Sequence, residues 1–152
     1  DGRLMGKDAR SFSDAARDIV GKRGPAVMGH VDGLHAQEPH AVHQTRVASR
    51  RLRAALEGFD ACFHGKRHRR LLRLVKATAD DLGEARDLDV QIAYLRAYHA
   101  TCPPSDRPGL ESLIELLERE RMLAQEKVLP AVERLEHERF AEQLERLVED
   151  EG

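Results

Sequence analysis

The sequence predicts an all-α domain, an antiparallel four-helix bundle with kinked helices and a short C-terminal helix, and three observations carry that expectation. Leu, Ala, Glu and Arg dominate, charged residues reach 34%, aromatic residues only 4%, and Trp is absent, a composition that favours helix and supplies few candidates for strands. Apolar residues recur at three- and four-residue spacing, which gathers them on one side of a helix. Glycine and proline fall in short clusters between these segments, as helix-to-helix connections require. At 152 residues the chain is read as a single domain, 1–152, able to bury about two thirds of its unfolded surface. Residues 1–10 are set apart as a flexible N-terminal segment.

Ser11 or Ser13 is placed to cap a first helix whose apolar positions are Phe12, Ala15, Ala16, Ile19 and Val20. Gly21, Gly24 and Pro25 interrupt it, either as a kink or as a division into two pieces that continue through Val27, Val31 and Leu34 to about Gln37. Pro39 suits the first turn of a second helix reaching about Phe63, with Gly65 closing it in a left-handed conformation. The third helix starts at Lys66, with Leu71, Leu72, Val75, Ala79 and Leu82 on its apolar side. Gly83 predicts a kink or brief break before the period resumes at Leu88, Val90, Ile92, Leu95 and Tyr98. Arg86 would face the core of a straight helix, in an ion-pair network with Asp87 and Asp89. Thr101 to Pro108, with three prolines, is a loop, and Ser105 or Asp106 caps the fourth helix, bent at Pro130. Phe140, Leu144, Leu147 and Val148 form the short last helix.

No apolar run approaches the ~18 to 20 residues of a membrane span, and Asp1–Lys7 lacks the pattern of a signal peptide, so the cytoplasm is the expected compartment. The chain begins without Met, as a piece of a longer protein would. Cys62 and Cys102 have no metal-ligand spacing and make no disulfide framework. Among the remaining histidines, His30, His35, His40, His99 and His137 show no ligand pattern, and Gly65 keeps His64 and His68 off a shared helical face. Neither metal nor cofactor is expected.

A net charge of −2 conceals segregation. Gln44 to Lys76 holds eight Arg and two Lys against Glu57 and Asp60, a balance of +8, whereas Glu111 to Glu151 has thirteen acids against six bases, or −7. On a helix, His43, Arg46, Arg50 and Arg53 fall within roughly 80°, opposite Ala48, Leu52, Leu56 and Phe59. Arg51 extends this basic block. Lys66, Arg69, Arg70, Arg73 and Lys76 occupy about 120° of the next helix, opposite its apolar side. Like charges so close repel by a few tenths of a kcal/mol per pair, so keeping them together points to an anionic ligand. A short connection makes the two helices antiparallel neighbours, and their basic faces are expected to merge into one patch.

The run Val42-His43-Gln44-Thr45-Arg46-Val47-Ala48-Ser49-Arg50-Arg51-Leu52-Arg53 resembles the VHxxRVxxRRLR pattern of the conserved histidine α-helical domain, the CHAD family. Leu82-Gly83-Glu84-Ala85-Arg86-Asp87-Leu88-Asp89-Val90 is similar to that family's second landmark, LGxxRDLDV, and Arg139-Phe140 with its following leucines resembles the family's tail. The resemblance implies a helical domain binding inorganic polyphosphate through a basic surface, at polyphosphate granules or beside CYTH triphosphatase domains in bacteria and archaea. The residues implicated are His43, Arg46, Arg50, Arg51, Arg53, Lys66, Arg69, Arg70, Arg73 and Lys76. The family pairs two four-helix halves, and only the N-terminal half, or a short form, is legible here, so a homodimer is expected to rebuild the missing wall.

Two rivals use the same residues. A histidine phosphotransfer domain would present His43 beside Arg46, but needs one anchoring cation rather than about ten. A nucleic-acid or other polyanion-binding module would use the basic faces, but stacking aromatics are missing from them, since Phe59 and Phe63 align with the apolar side. Catalysis is not expected, because the basic faces lack the clustered carboxylates that hold divalent metal for phosphate hydrolysis.

Overall fold

The computed structural model describes the backbone of residues 2–63 and 65–149, and side chains from residue 12 onward within that range. Among the described residues the chain is all-helical: α1 Gly2–Val27, α2 Val31–His35, α3 Pro39–Gly58, α4 Lys66–His99, α5 Arg107–Gln125, α6 Val128–His137 and α7 Phe140–Glu149, with 3-10 turns at Asp60–Cys62 and Pro104–Asp106. No helix is long and apolar enough to cross a membrane among these residues.

Several boundaries differ from expectation, each for a local reason. α1 runs through Ser11 and Ser13, so neither serine caps it, and its backbone takes in residues 2–10. It also passes Gly21 and Gly24 and ends two residues after Pro25, where i+3 hydrogen bonds from Met28 to Pro25 O and from Gly29 to Ala26 O tighten the last turn. α3 stops at Gly58 rather than near Phe63. Gly65 does adopt φ +101°, but as the N-cap of α4 instead of the end of α3. α4 is a single uninterrupted helix, so the break expected at Gly83 is absent. A helix-interior glycine costs ~1 kcal/mol relative to Ala, which burial of Leu82, Ala85, Leu88 and Ile92 around it readily offsets. The chain divides at Glu126–Lys127 rather than at Pro130, which therefore sits in the first turn of α6, where proline is tolerated.

α4 is the spine. α3 lies antiparallel along one side of it, and the run α5–α6–α7 returns along the other. Side-chain pairs mark that return in order, from His99–Glu111 through Asp89–Arg121, Glu84–Lys127 and Asp81–Arg134 to Arg70–Glu138. One apolar cluster joins α1, α3, the first half of α4, α6 and α7 through Val20, Leu52, Leu56, Leu71, Val75, Leu135 and Phe140. A second joins α2, the start of α3, the second half of α4, α5 and α6 through Leu34, Val42, Leu82, Leu88, Ala124 and Val128. His68 belongs to the first, 2% exposed and stacked on Phe63, with Nε2–H donating to Leu56 O at 2.8 Å; its role is structural. His64 lies outside the described residues.

Helix α7 docks on α1 where side chains are smallest. A Cβ added at Gly24 would meet Leu144 Cδ2 at 1.7 Å and Cγ at 2.8 Å, whereas one added at Gly21 would sit in ordinary contact, 3.8 Å from Val148 Cγ1. Gly24→Ala is expected to lose about 1 to 3 kcal/mol of stability by displacing the buried Leu144. Gly21→Ala is expected to gain up to about 1 kcal/mol from helix propensity. Urea unfolding of the two variants checks this, and equal effects would contradict the notch.

Candidate polyanion-binding surface

The cations of α3 form one row because His43, Arg46, Arg50 and Arg53 repeat at three- and four-residue spacing, while Ala48, Leu52, Ala55 and Leu56 turn into the core. The antiparallel run of α4 sets what faces them. Arg46 Nη1 lies 3.3 Å from Asp87 Oδ1, and the seam continues to Glu57, whose Oε1 takes Arg53 Nε and Lys76 Nζ, each at 3.2 Å. Between the helices runs a groove of about 510 Å³, lined by Arg46, Arg50 and Arg53 from α3 and by Ala79, Asp80, Gly83, Glu84 and Asp87 from α4.

The two basic faces therefore do not merge into a uniform patch. They are offset along the seam: the arginine row of α3 stands against the acidic half of α4, and the basic half of α4 stands beyond Glu57, past the end of that row. Hydrogen bonds from Lys76 and Arg53, with their charges, hold the Glu57 carboxyl below the usual carboxylate range. Glu57 is the carboxylate on which the two rows close.

Of the ten residues expected at the site, Arg50, Lys66, Arg69 and Arg73 are exposed with no carboxylate partner among the described residues. Arg46, Arg53 and Lys76 are paired as above. Two fall elsewhere. Arg70 reaches Glu138, at the turn between α6 and α7, because it lies about 120° round the helix from Lys76. Arg51 points to the other side of α3 and lines a groove against α1. His43 is half-buried, with Nδ1 sealed from solvent and without a hydrogen-bond partner. Burial first, then the charges of Arg86, His40 and Arg46, hold its imidazole below the ordinary value.

Arg86 does not take the ion-pair partners expected of it. It is half-buried, and its charge bears on His43, while Asp87 goes to Arg46 and Asp89 to Arg121. The signal was the row Ala79, Gly83, Arg86, which faces α3 once α4 is continuous.

The arrangement presents a string of guanidinium and ammonium groups over two helices, with one imidazole of lowered pKa at its end. Arg86→Gln is expected to raise the midpoint of the His43 titration toward 6.5, followed through its ring resonances by NMR. A midpoint that stays put would remove Arg86 from the site.

Comparison with known proteins identifies the family. No curated protein and no solved structure matches the chain. The CHAD domain model matches residues 19–152, a span that takes in α2 to α7, both motifs and all ten of the expected residues. The chain belongs to the CHAD domain family.

Proposed function

We propose that this domain binds linear inorganic polyphosphate along the α3–α4 seam and does not hydrolyse it. The observation that carries the reading is the set Arg50 on α3 and Lys66, Arg69 and Arg73 on the first half of α4, exposed and without carboxylate partners among the described residues. Arg46, Arg53 and Lys76 join them when a phosphate replaces the carboxylate each holds, since exposed pairs of this kind are worth only ~0 to 1 kcal/mol. Arginine suits the ligand: its planar fork stays charged and bonds two phosphate oxygens at once, while Lys66 and Lys76 add point charges. Polyphosphate offers neither bases nor sugars, so a row of donors serves where a shaped pocket would not. The scaffold reads as an antiparallel four-helix bundle, with α1–α2, α3, α4 and α5–α6 as its rods and α7 as the short closing helix.

Observations weigh against the rivals. Phosphotransfer needs an accessible ring, and His43 is half-buried with Nδ1 sealed. Nucleic-acid stacking needs exposed aromatics, and on this surface Phe63 is buried and Phe59 packs on Phe12. Hydrolysis needs several carboxylates free for divalent metal, and of the five on this stretch of α4 only Asp80 is without a cation of its own chain among the described residues, since Asp81, Glu84, Asp87 and Asp89 each hold one. A place at polyphosphate granules follows from the ligand.

A second copy is part of the proposal. Among the described residues, seven of the eight large apolar side chains that remain exposed lie on the α4–α5 hairpin: Val90, Tyr94, Tyr98, Leu113, Leu116, Met122 and Leu123. Their exposed surface is on the order of 700 Å² per protomer, near the ~800 Å² each partner gives to a standard interface. Sedimentation equilibrium is expected to give a dimer that Tyr94→Glu with Leu116→Glu dissociates; a strict monomer at high concentration with polyphosphate binding intact would refute the pairing.

Binding by fluorescence anisotropy tests the ligand. Affinity for long polyphosphate is expected to fall steeply with salt, to exceed that for duplex or single-stranded nucleic acid at physiological salt, and to drop at least tenfold in Arg50→Glu with Arg73→Glu, with Arg70→Gln nearly silent. Bound phosphate offsets Arg86 and Arg46, so it raises the depressed His43 pKa and binding takes up a proton. Affinity should therefore be greater at pH 6 than at pH 8, less so in His43→Gln. Tighter binding at pH 8 would reverse the sign and reject the role of His43.

A further inference from the structure

We propose that the groove between α1 and α3 is a second anion subsite, reached by a polyphosphate chain that crosses the exposed ridge of α3 between Arg50 and Arg51; this rests on the polyphosphate reading above. The groove has a volume of about 250 Å³, and its charged or titratable lining is Lys22, Arg23, His30 and Arg51, over a floor that includes Val47 and Ala48. No carboxylate lines it, in contrast to the α3–α4 groove with its Asp80, Glu84 and Asp87.

Arg23 is held in place without being neutralised, and Lys22 is paired only with an exposed carboxylate of its own helix. Arg23 Nη1 donates to the backbone carbonyl of Arg51 at 3.1 Å, which fixes its guanidinium against α3 and leaves its charge without a carboxylate. Lys22 Nζ shares Asp18 Oδ2 at 3.0 Å, but both side chains are exposed and one turn apart on α1, so a phosphate can take that ammonium. Three cations converging on one groove repel, and an anion between them removes the repulsion.

The link between the grooves is the pair of neighbours Arg50 and Arg51. Successive residues on a helix point about 100° apart, and here the first lines one groove and the second lines the other. A ligand that engages both must cross a helix ~10 to 12 Å wide. Tripolyphosphate is too short to serve both grooves at once, whereas a long chain can, and its second contact gains from the high effective concentration of a tethered anion.

Calorimetry with the full chain separates the possibilities. Tripolyphosphate is expected to bind at two sites per chain in the wild type and at one in Lys22→Gln with Arg23→Gln. Long polyphosphate is expected to lose about tenfold in affinity in that variant, and its salt slope is expected to shrink by roughly two. Tripolyphosphate should also move the His30 ring resonances in the wild type and not in the variant. If Lys22→Gln with Arg23→Gln changes neither stoichiometry nor long-chain affinity while Arg50→Glu with Arg73→Glu abolishes binding, the second subsite is refuted and the first stands. If the wild type binds no polyphosphate at all, both readings fall.

Discussion

Cations on packed neighbouring helices repel, and the α3–α4 pair meets that constraint by offsetting its basic rows along an antiparallel seam. The offset lets the seven cations Arg46, Arg50, Arg53, Lys66, Arg69, Arg73 and Lys76 share two helices without opposing one another directly. Glu57 closes the seam from below with two cations, and Asp87 closes it from above with one. Each pair has a solvent-exposed carboxylate, which keeps it weak, so they hold the free protein in order without competing strongly against phosphate. The rest of the fold serves this register. The buried faces of α3 and α4 fix their rotation, and α5 to α7 brace α4 from behind.

Much of this was legible in the residues. The cationic arc of α3 could be placed because its apolar residues fix the opposite side, and that pattern survives as the buried set Ala48, Leu52, Ala55 and Leu56. The motif around His43 carried the family, which the match over 19–152 bears out. What could not be read was the environment of each charge. Whether Arg73 stands free and Arg70 is tied depends on where Glu138 arrives, some seventy residues later in the chain. The acidic half of α4 was legible as composition, but only the antiparallel register reveals that it faces the arginines of α3.

Glycine and proline misled in a consistent way. Gly83 and Gly24 carry the local signal of a kink or a break, yet both lie inside continuous helices, and the first segment divides a few residues after Gly24, between Val27 and Val31. Propensity near 1 kcal/mol is small against the burial of several leucines, so tertiary packing overrides it. At Gly24 the absent side chain has a positive use, since it admits Leu144. Pro130 sits where a helix begins rather than where one bends. In each case the local signal was real, and the neighbouring helix decided its meaning.

The continuity of α4 has a further consequence. Its peptide dipoles sum to a partial positive charge at the Lys66 end, yet the side chains add Lys66, Arg69, Arg70, Arg73 and Lys76 there and place Asp80, Asp81, Glu84, Asp87 and Asp89 further along. From Lys66 to Asp89 side chains and backbone thus polarise the rod in the same sense, where most helices set them in opposition, while Arg96 and His99 complement the dipole in the last turn. Such a helix stores unfavourable field at its beginning, on the order of 0.3 to 1 kcal/mol per charge near the terminus. A polyanion lying there relaxes side-chain and backbone electrostatics together.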